Sequence, residues 1–429
     1  MTGLPELKRE LIARSGRGAK YGLERLRTAL EPLGHPERGL PVVHVAGTNG
    51  KGSVCAMTEA VAREAGLRTG TFTSPHLSRL DERIRIDGAP IGEAAFEAAL
   101  GRVLHPSTPF VTFFEAITLT AMVAMQSAQV DLAIFEVGLG GRLDATNVLE
   151  GALATAIVSI GLDHTGILGT DLGGIAREKA GIFKPNTPAV LGVMVPEAEA
   201  AAREVAHAVG AGPVWSCGRD IGFDERGFTL GDGRRIAAPE VGLLGPHQRA
   251  NAAVVAGLSA AVDARKGWAR LTAALPMGLA GARWPGRLEV LEHQGRRIVL
   301  DCAHNPAGAA ALREALTGPL ALERSRSTLL FGSMADKAWP TMLDAIAPAF
   351  ETRVYARPIE ALAGRLPADP GLLAARFAGH RLTTPEAGLA RALDLTPPGG
   401  TLVVAGSIFL VGAVRAELLG ITRDVSVPL

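Results

Sequence analysis

A glycine-rich turn that carries one lysine is the segment of the sequence best suited to bind a phosphate. Residues 42–53 read VVHVAGTNGKGS, an apolar run that ends in three closely spaced glycines. A buried strand that turns here into a helix presents backbone N–H groups to an anion, and glycines let a phosphate approach without Cβ clashes. Lys51 would neutralise the β- and γ-phosphates, and the Ser53 hydroxyl would bind Mg²⁺.

The spacing in this turn departs from that of a strict P-loop. In the strict motif the Ser or Thr directly follows the lysine, whereas here Gly52 intervenes. An ordinary strand-to-helix turn with a solvated lysine is the alternative, and spacing alone leaves it open. We predict nucleotide binding.

Polar side chains also follow other predicted strands. Glu136 ends the apolar run LAIFE, Ser74 comes just after an earlier strand, and His164 follows a later one. Ligands of a parallel sheet lie at the carboxyl ends of its strands, so Glu136 and His164 would be able to share an ion. No His/Cys cluster with zinc spacing accompanies them, so we predict Mg²⁺. A Ser-Pro turn at Ser74 and a structural role for His164 are the alternatives.

Two further residues have less specific surroundings. Asp301 ends a predicted strand, where an aspartate can hydrogen-bond a ribose hydroxyl, and an N-capping turn is the alternative. Lys179 closes a helical pattern, where a lysine is normally solvated. Its spacing alone indicates no chemistry.

Composition excludes several classes of partner. The 429 residues include 44 Lys+Arg and 43 Asp+Glu, and aromatics make up 4%, so neither a nucleic-acid nor an anionic-membrane partner is expected. Three widely spaced cysteines without a CxxC pair indicate neither a disulfide framework nor zinc, and they suit a reducing cytosol. The charged N-terminal residues are unlike a secretory signal, and the longest apolar run, 402–414, is too short to span a bilayer.

Apolar β-type runs alternate with helical patterns, which is typical of a mostly parallel sheet. The predicted strands before residue 212 are 41–46, 68–73, 130–137, 154–160 and 188–193, with helices at 53–65, 93–103, 113–128, 172–180 and 197–209. Beyond a Pro/Gly-containing linker at 281–287, the predicted strands are 297–301, 327–332, 351–355 and 400–405, with helices at 307–317, 337–348, 386–394 and 408–419.

We therefore expect an α/β protein with two domains. Residues 1–284 would form a P-loop domain around a mostly parallel sheet, with a small antiparallel β-hairpin insert at about 212–240. Residues 287–429 would form a Rossmann-like α/β domain. This second part contains no phosphate loop of its own, so we expect it to complete a site rather than form one.

A series of motifs resembles one known family over nearly the whole length of the chain. In family order they are YGLERL at 21–26, HVAGTNGKGS at 44–53, TSPHL at 73–77, DERIRI at 81–86, TFFEAITL at 112–119, EVGLGGRLDATN at 136–147, LDHTGILG at 162–169, REKAGIFK at 177–184, GPHQRANA at 245–252, PGR at 285–287, DCAHNP at 301–306 and DK at 336–337. They resemble the folylpolyglutamate synthases of the bacterial type, which include bifunctional dihydrofolate synthases. This family belongs to the Mur-ligase-like ATP-dependent amide ligases.

The resemblance implies a role for each matching residue. The implied ATP contacts are Gly47, Thr48, Asn49, Gly50, Lys51, Gly52, Ser53, Asn251, Arg287 and Asp301. The implied magnesium ligands are Ser53, Ser74, Glu136, His164 and, if it is carbamylated, Lys179. The implied catalytic residues are Lys51, Lys179 and His304. The pterin-bearing substrate is expected against Lys20, Tyr21, Gly22, Thr112, Phe113, Phe114, Glu115, Leu143, Asp144 and Ala145.

The resemblance also implies an activity. ATP would phosphorylate the glutamyl carboxylate of a (tetrahydro)folate, or the carboxylate of dihydropteroate, and the amine of L-glutamate would then displace phosphate. The C-terminal domain would complete the ATP and glutamate sites, and the enzyme would be a cytoplasmic monomer. The alternatives are another Mur-type amino-acid ligase and a P-loop nucleotide switch that binds a partner protein.

Overall fold

The computed structural model describes residues 3–15, 22–359 and 366–424. Its α-helices are α1 (Leu4–Ala13), α2 (Glu24–Leu33), α3 (Lys51–Glu64), α4 (Glu93–Val103), α5 (Phe113–Ser127), α6 (Thr165–Leu168), α7 (Leu172–Ala180), α8 (Pro196–Ala208), α9 (His247–Lys266), α10 (Arg270–Gly281), α11 (Pro306–Thr317), α12 (Trp339–Ile346), α13 (Pro370–Arg376), α14 (Pro385–Leu395) and α15 (Ile408–Leu419). Its strands are β1 (Val42–Ala46), β2 (Thr69–Phe72), β3 (Ile84–Ile86), β4 (Ala89–Pro90), β5 (Leu132–Glu136), β6 (Ala152–Ile157), β7 (Ala189–Leu191), β8 (Val214–Ser216), β9 (Gly222–Asp224), β10 (Gly227–Thr229), β11 (Arg235–Ala237), β12 (Glu289–His293), β13 (Arg296–Asp301), β14 (Ser327–Phe331), β15 (Thr352–Ala356), β16 (His380–Leu382) and β17 (Thr401–Ala405).

The first sheet has the strand order β4-β3-β2-β5-β1-β6-β7-β8. The strands from β2 to β8 in this order pair in parallel, while β3 and β4 form an antiparallel edge. Every residue of β1 and β5 is buried, because helices cover both faces. Burial on both faces explains why these strands read as continuous apolar runs.

The second sheet has the order β12-β13-β17-β14-β15-β16, and it is parallel apart from the edge strand β12. Two mostly parallel sheets with flanking helices confirm the predicted α/β fold class. The domain boundaries, 1–284 and 287–429, remain a prediction.

The segment at 212–240 differs from the predicted hairpin. Its first strand, β8, pairs in parallel with β7 and so extends the main sheet. The remaining strands form a separate three-stranded antiparallel sheet in the order β11-β10-β9. The alternating pattern therefore predicted antiparallel pairing correctly but missed the strand that joins the larger sheet.

Helices α9 and α10 fill a stretch for which the sequence analysis predicted no element. Helix α9 is buried along most of its length and packs in the same apolar core as α3 and the central strands. Its first turns bring Gln248 and Asn251 to the turn before α3. No helix in the described residues is both long and apolar enough to cross a membrane.

Candidate active site

The phosphate loop, Gly47–Ser53, runs from the end of β1 into the first turn of α3. Gly50 precedes the helix with φ +83°, a conformation that favours glycine. A Cβ at Gly50 would lie 2.7 Å from Asn251 Oδ1 and 2.9 Å from Val158 Cγ1. The loop thus brings its backbone to the helix N-terminus with no side chain in the way, which is the arrangement that binds a phosphate.

Lys51 lies across the mouth of this loop. Its Nζ donates to the carbonyl oxygens of Gly47, at 3.1 Å, and Thr48, at 3.3 Å. The same ammonium lies 4.0 Å from Glu136 Oε1. The lysine is therefore placed to neutralise a phosphate on the loop while it faces the carboxylate at the end of β5.

Glu136 and Ser74 meet where β5 and β2 end. The Glu136 side chain is buried, and its Oε2 accepts a hydrogen bond from the backbone N–H of Ser74 at 3.1 Å. Burial raises the pKa of Glu136, and the nearby charge of Lys51 acts in the opposite direction. Ser74 Oγ is buried and has no hydrogen-bond partner within the part of the chain that the structure describes. An unpartnered hydroxyl beside a buried carboxylate fits a hard cation such as Mg²⁺.

The phosphate loop, Ser74 and Glu136 line a cavity of about 130 Å³, called here the phosphate cavity. Lys179 and His164 line it as well. Lys179 is buried, and its Nζ donates to the carbonyl of Gly47 at 3.1 Å. Burial, followed by the positive charge of Lys51, lowers the pKa of Lys179 to about 7. His164 directly precedes α6 with φ +51°. Within residues 3–15, 22–359 and 366–424, no three His, Cys, Asp or Glu side chains form a metal-binding group. A cation would therefore take much of its coordination from hydroxyl, phosphate or modified-lysine oxygens.

A second cavity, of about 310 Å³, is also lined by residues of the loop, among them Asn49 and Gly50. Asn251, Arg287 and Asp301 line it together with Ser53. Asn251 donates to the Gln248 amide at 2.9 Å, and Gln248 donates to Ser53 Oγ at 3.3 Å. The carboxylate of Asp301 accepts two backbone N–H groups, and burial raises its pKa. The structure thus brings the implied ATP contacts Asn251, Arg287 and Asp301 to one cavity, and the buried Gln248 links Asn251 to Ser53 behind its wall.

An ion network joins the two sheets beside the phosphate loop. Asp163 lies between β6 and α6, and its carboxylate accepts from Lys337 Nζ at 2.8 Å. His304 Nε2 lies 3.5 Å from the same carboxylate, while His304 Nδ1 lies 3.0 Å from the carbonyl of Cys302. Burial would raise the pKa of Asp163, but the hydrogen bond from His304 and the charge of Lys337 outweigh it, so the pKa lies well below its usual range.

A third cavity, of about 480 Å³, contains most of the residues implied for the pterin substrate. It adjoins the phosphate cavity, because Gly138, Leu139 and Leu168 line both. The implied substrate residues on its wall are Gly22, Thr112, Phe114, Glu115, Leu143, Asp144 and Ala145. Phe113 instead packs into the apolar core, and Lys20 and Tyr21 lie outside the described residues.

Glu115 and Asp144, two of the three carboxylates that line this third cavity, already have partners. Glu115 accepts from Arg25 and from the backbone and hydroxyl of Thr112, and so caps α5. Asp144 accepts from Thr146 and from the backbone N–H of Leu139. Both side chains therefore shape the wall of the cavity, whatever contact they make with a ligand.

Lys337, Gln248 and Asp163 are residues of the candidate site for which the sequence predicts no role. Lys337 belongs to the DK motif, Gln248 to GPHQRANA and Asp163 to LDHTGILG, so the signal was present in each case. The motifs alone could not predict what these residues contact, because their partners lie in distant parts of the chain. The contacts of Asp163 and Lys337 form where the two sheets meet, and those of Gln248 form where α9 packs beside α3.

Comparison with known proteins assigns the family. Residues 45–259 match the Mur ligase middle domain, and residues 286–408 match the Mur ligase glutamate ligase domain. The folylpolyglutamate synthase of Lacticaseibacillus casei is 35% identical over 418 residues, which cover 92% of this chain and 94% of the relative.

Two solved structures are similar in fold over nearly the full length. E. coli FolC in complex with DHPP and ADP superposes with a TM-score of 0.83 at 29% identity, over 97% of this chain and 98% of that one. A bifunctional folylpolyglutamate synthase/dihydrofolate synthase with Mn, AMPPNP and L-glutamate bound gives a TM-score of 0.82 at 30% identity, over 96% and 98% of the two chains. The chain belongs to the Mur ligase family and, within it, to the folylpolyglutamate synthases.

Proposed function

We propose that this ATP-dependent ligase adds L-glutamate to the glutamyl carboxylate of folates, and also to dihydropteroate, through an acyl phosphate. One observation carries the proposal: the phosphate loop, the Ser74–Glu136 pair and the cavity lined by Thr112 and Phe114 adjoin one another. A nucleotide on the loop would direct its γ-phosphate toward a carboxylate held in the neighbouring cavity. This geometry supports acyl-phosphate formation between the two.

In the first step, an oxygen of the acceptor carboxylate attacks the γ-phosphorus, and the bond from that phosphorus to ADP breaks. Lys51 and His304 both line the phosphate cavity; the Lys51 ammonium would neutralise charge on the transferred phosphoryl group, and the His304 imidazole would donate a hydrogen bond to it. Positioning and charge stabilisation provide most of the catalysis in such transfers, because the protein has little covalent chemistry to perform.

ATP and a divalent metal are the cofactors of this family. Bound Mg²⁺ withdraws negative charge from the phosphates. The oxygens and nitrogen that would hold it belong to Ser53, Ser74, Glu136 and His164, and to Lys179 once that lysine carries a carbamate. The buried, unpartnered Ser74 hydroxyl supports this set.

In the second step, the amine nitrogen of L-glutamate attacks the acyl carbon, and the bond from that carbon to the phosphate oxygen breaks. The protons of the amine pass to the leaving phosphate and to solvent. Acyl phosphates hydrolyse readily, so water must be excluded. Met334, Ile408 and Phe409, from the C-terminal half, line the phosphate cavity and would provide this apolar cover.

The test is an ATP-dependent assay that offers radiolabelled L-glutamate with each acceptor separately: tetrahydrofolate, dihydropteroate and a UDP-sugar cell-wall precursor. We expect incorporation with tetrahydrofolate and with dihydropteroate. Labelling of the UDP-sugar precursor alone would favour another Mur-type ligase. Nucleotide hydrolysis that needs neither acceptor nor glutamate would favour a nucleotide switch.

We further propose that the enzyme acts as a monomer in the cytoplasm, without nucleic-acid or membrane partners. The near-neutral formal charge of +1 and the low aromatic content support this proposal. Light scattering coupled to size-exclusion chromatography should give the mass of one chain, and twice that mass would contradict it.

A further inference from the structure

Asp163 lies at the carboxyl end of the first sheet, and its side chain contacts residues from the other half of the chain. It follows β6, yet its carboxylate contacts Lys337, which precedes α12, and His304, which lies between β13 and α11. The Lys337 ammonium is 2.8 Å from Oδ1, and His304 Nε2 is 3.5 Å from Oδ2. One carboxylate thus contacts an ammonium and an imidazole from separate elements.

These partners face the phosphate cavity. Asp163, Lys337 and His304 all line it, together with Lys51. The side chains of Asp163 and Lys337 are 10% and 14% exposed, so their interaction is only partly screened by water. A phosphoryl group on the loop would therefore meet cations from both halves of the chain.

A neighbouring amide ties the same network to the loop itself. Asn305 Nδ2 lies 3.3 Å from Asp163 Oδ2 and 2.8 Å from Asn49 Oδ1. The Asp163 side chain is also held by the backbone next to it, since its Oδ1 accepts a hydrogen bond from the N–H of His164 at 2.9 Å. Any shift of Asp163 would move Lys337 and His304 relative to the loop.

A purely stabilising role explains these contacts less well. Taking a carboxylate and an ammonium out of water costs about as much as their attraction returns, so buried pairs contribute little net stability. Their value lies instead in fixing position. The placement of this pair, at the junction of the halves and on the cavity wall, is where position matters for phosphoryl transfer.

We propose that Asp163 is a positioning residue for ligation. It holds Lys337 and His304 over the phosphate loop, so that these side chains of the C-terminal half are correctly placed to contact the acyl phosphate. This inference rests on the proposed function. It assigns to Lys337 a contact with the transferred phosphoryl group, and to Asp163 the task of placing it.

The experiment is a double-mutant cycle on the full chain with Asp163→Asn, Lys337→Met and the double variant. Glutamate incorporation gives kcat, and calorimetry with AMPPCP gives nucleotide affinity. A displacement of about 1 Å costs about 100-fold in rate, so we expect Asp163→Asn to lower kcat by about that factor. Its AMPPCP affinity should stay within about threefold, because the loop is intact.

The coupling is the decisive readout. If Asp163 acts through Lys337, the loss of kcat in the double variant falls at least about tenfold short of the product of the two single losses. Lys8→Met is the matched control: it removes another ion pair between the halves, Lys8 with Asp424, away from the cavity. Its kcat should stay within about twofold of the unsubstituted enzyme.

Three results would overturn the proposal. Asp163→Asn with unchanged kcat would show that the carboxylate positions nothing. Losses that multiply would show that Asp163 and Lys337 act independently. Loss of AMPPCP binding together with kcat would make Asp163 a support of the loop itself. If the unsubstituted enzyme incorporates no glutamate, the proposed function is overturned as well. That result concerns the unsubstituted enzyme and not the variants, so it can be distinguished from the other three.

Discussion

At the scale of single residues, two lysine side-chain nitrogens converge on one backbone oxygen. Lys51 and Lys179 both donate to the carbonyl of Gly47, each at 3.1 Å. Lys179 is the more deeply buried of the two, and burial lowers its pKa to about 7. A large fraction of Lys179 is therefore an uncharged amine at neutral pH, which is the form that reacts with CO₂.

Lys179→Ala should lose ligation by at least about 100-fold, because the carbamate expected at this position would help to hold a cation. Its amine nitrogen would bond to the carbon of CO₂ and release a proton, which replaces a cation with a carboxylate. Added formate or acetate should partly restore activity, as measured by glutamate incorporation. No rescue, together with a native mass that lacks an added CO₂, would count against carbamylation.

Lys51→Ala should abolish ligation, with a loss of at least about 1,000-fold, since it removes the loop's own cation from the transferred phosphoryl group. The circular dichroism spectrum and the thermal midpoint should stay close to those of the unsubstituted enzyme. Lys266→Ala, at the far end of α9, is the control and should keep full activity. Retained turnover in Lys51→Ala would refute the phosphate role.

At the scale of elements, the turn before α3 is defined by its glycines. Gly50→Ala should weaken AMPPCP binding at least about tenfold, because its Cβ would meet Asn251 and Val158 at a positive φ. Gly66 follows the other end of the same helix at φ +76°, with open space around it. Gly66→Ala should therefore lose about 1 kcal/mol of stability and bind AMPPCP normally. Equal affinities for the two variants, by calorimetry, would contradict this account of the loop.

Strand β1 also contains a buried histidine that should make the fold sensitive to acid. His44 Nε2 hydrogen-bonds Thr146 Oγ1 at 2.8 Å, which in turn donates to Asp144, while His44 Nδ1 has no partner in the described residues. Burial, followed by the charge of Lys184, lowers the pKa of His44 to about 3. Protonation would place a buried N–H opposite no acceptor.

The sign of this effect follows from proton linkage. The unfolded chain binds a proton at His44 near pH 6.5 and the folded chain does not, so stability is lost as pH falls below about 6.5. Between pH 7.5 and 5.5 this loss is about 1.4 kcal/mol. Urea unfolding at both pH values measures the free energy of unfolding. Between pH 7.5 and 5.5 this free energy should fall by about 1.4 kcal/mol less in His44→Gln than in the unsubstituted protein. An identical pH dependence in the two proteins would contradict the assignment.

The elements that the sequence predicts well are those that are buried on both faces and are therefore apolar throughout. Strands β1 and β5 are covered on both faces and read as apolar runs, so the polar residues at their ends stood out. Helices α9 and α10 lacked a contrasting polar face, and Pro276 interrupts the second. Short edge strands such as β16 gave too little pattern to detect.

The candidate site divides in the same way. The loop, Ser74, Glu136, His164 and Asp301 could be inferred from strand ends, and the other roles came from motif resemblance. The Asp163–Lys337 ion pair joins positions 174 residues apart, and no local pattern encodes such a contact. The partner of a strand-end carboxylate is decided by how the two sheets meet.

At the scale of the whole molecule, ion pairs join the two halves in two separate places. Asp163 holds Lys337 beside the phosphate loop, and Asp424 holds Lys8 near the C-terminal end of the described chain. Residues of both halves line the phosphate cavity and the second cavity, whereas the third cavity is lined by the N-terminal half alone. We therefore expect ligation to depend on the arrangement of both halves, although the phosphate loop belongs to one.

A crystal structure with AMPPCP and Mg²⁺ tests this account most directly. We predict the triphosphate along the backbone of Gly47–Ser53, a cation bonded to Ser74 Oγ and Glu136, and Lys337 within reach of the terminal phosphate. A vacant loop with the nucleotide elsewhere, or Glu136 and His164 directed away from the phosphates, would contradict it.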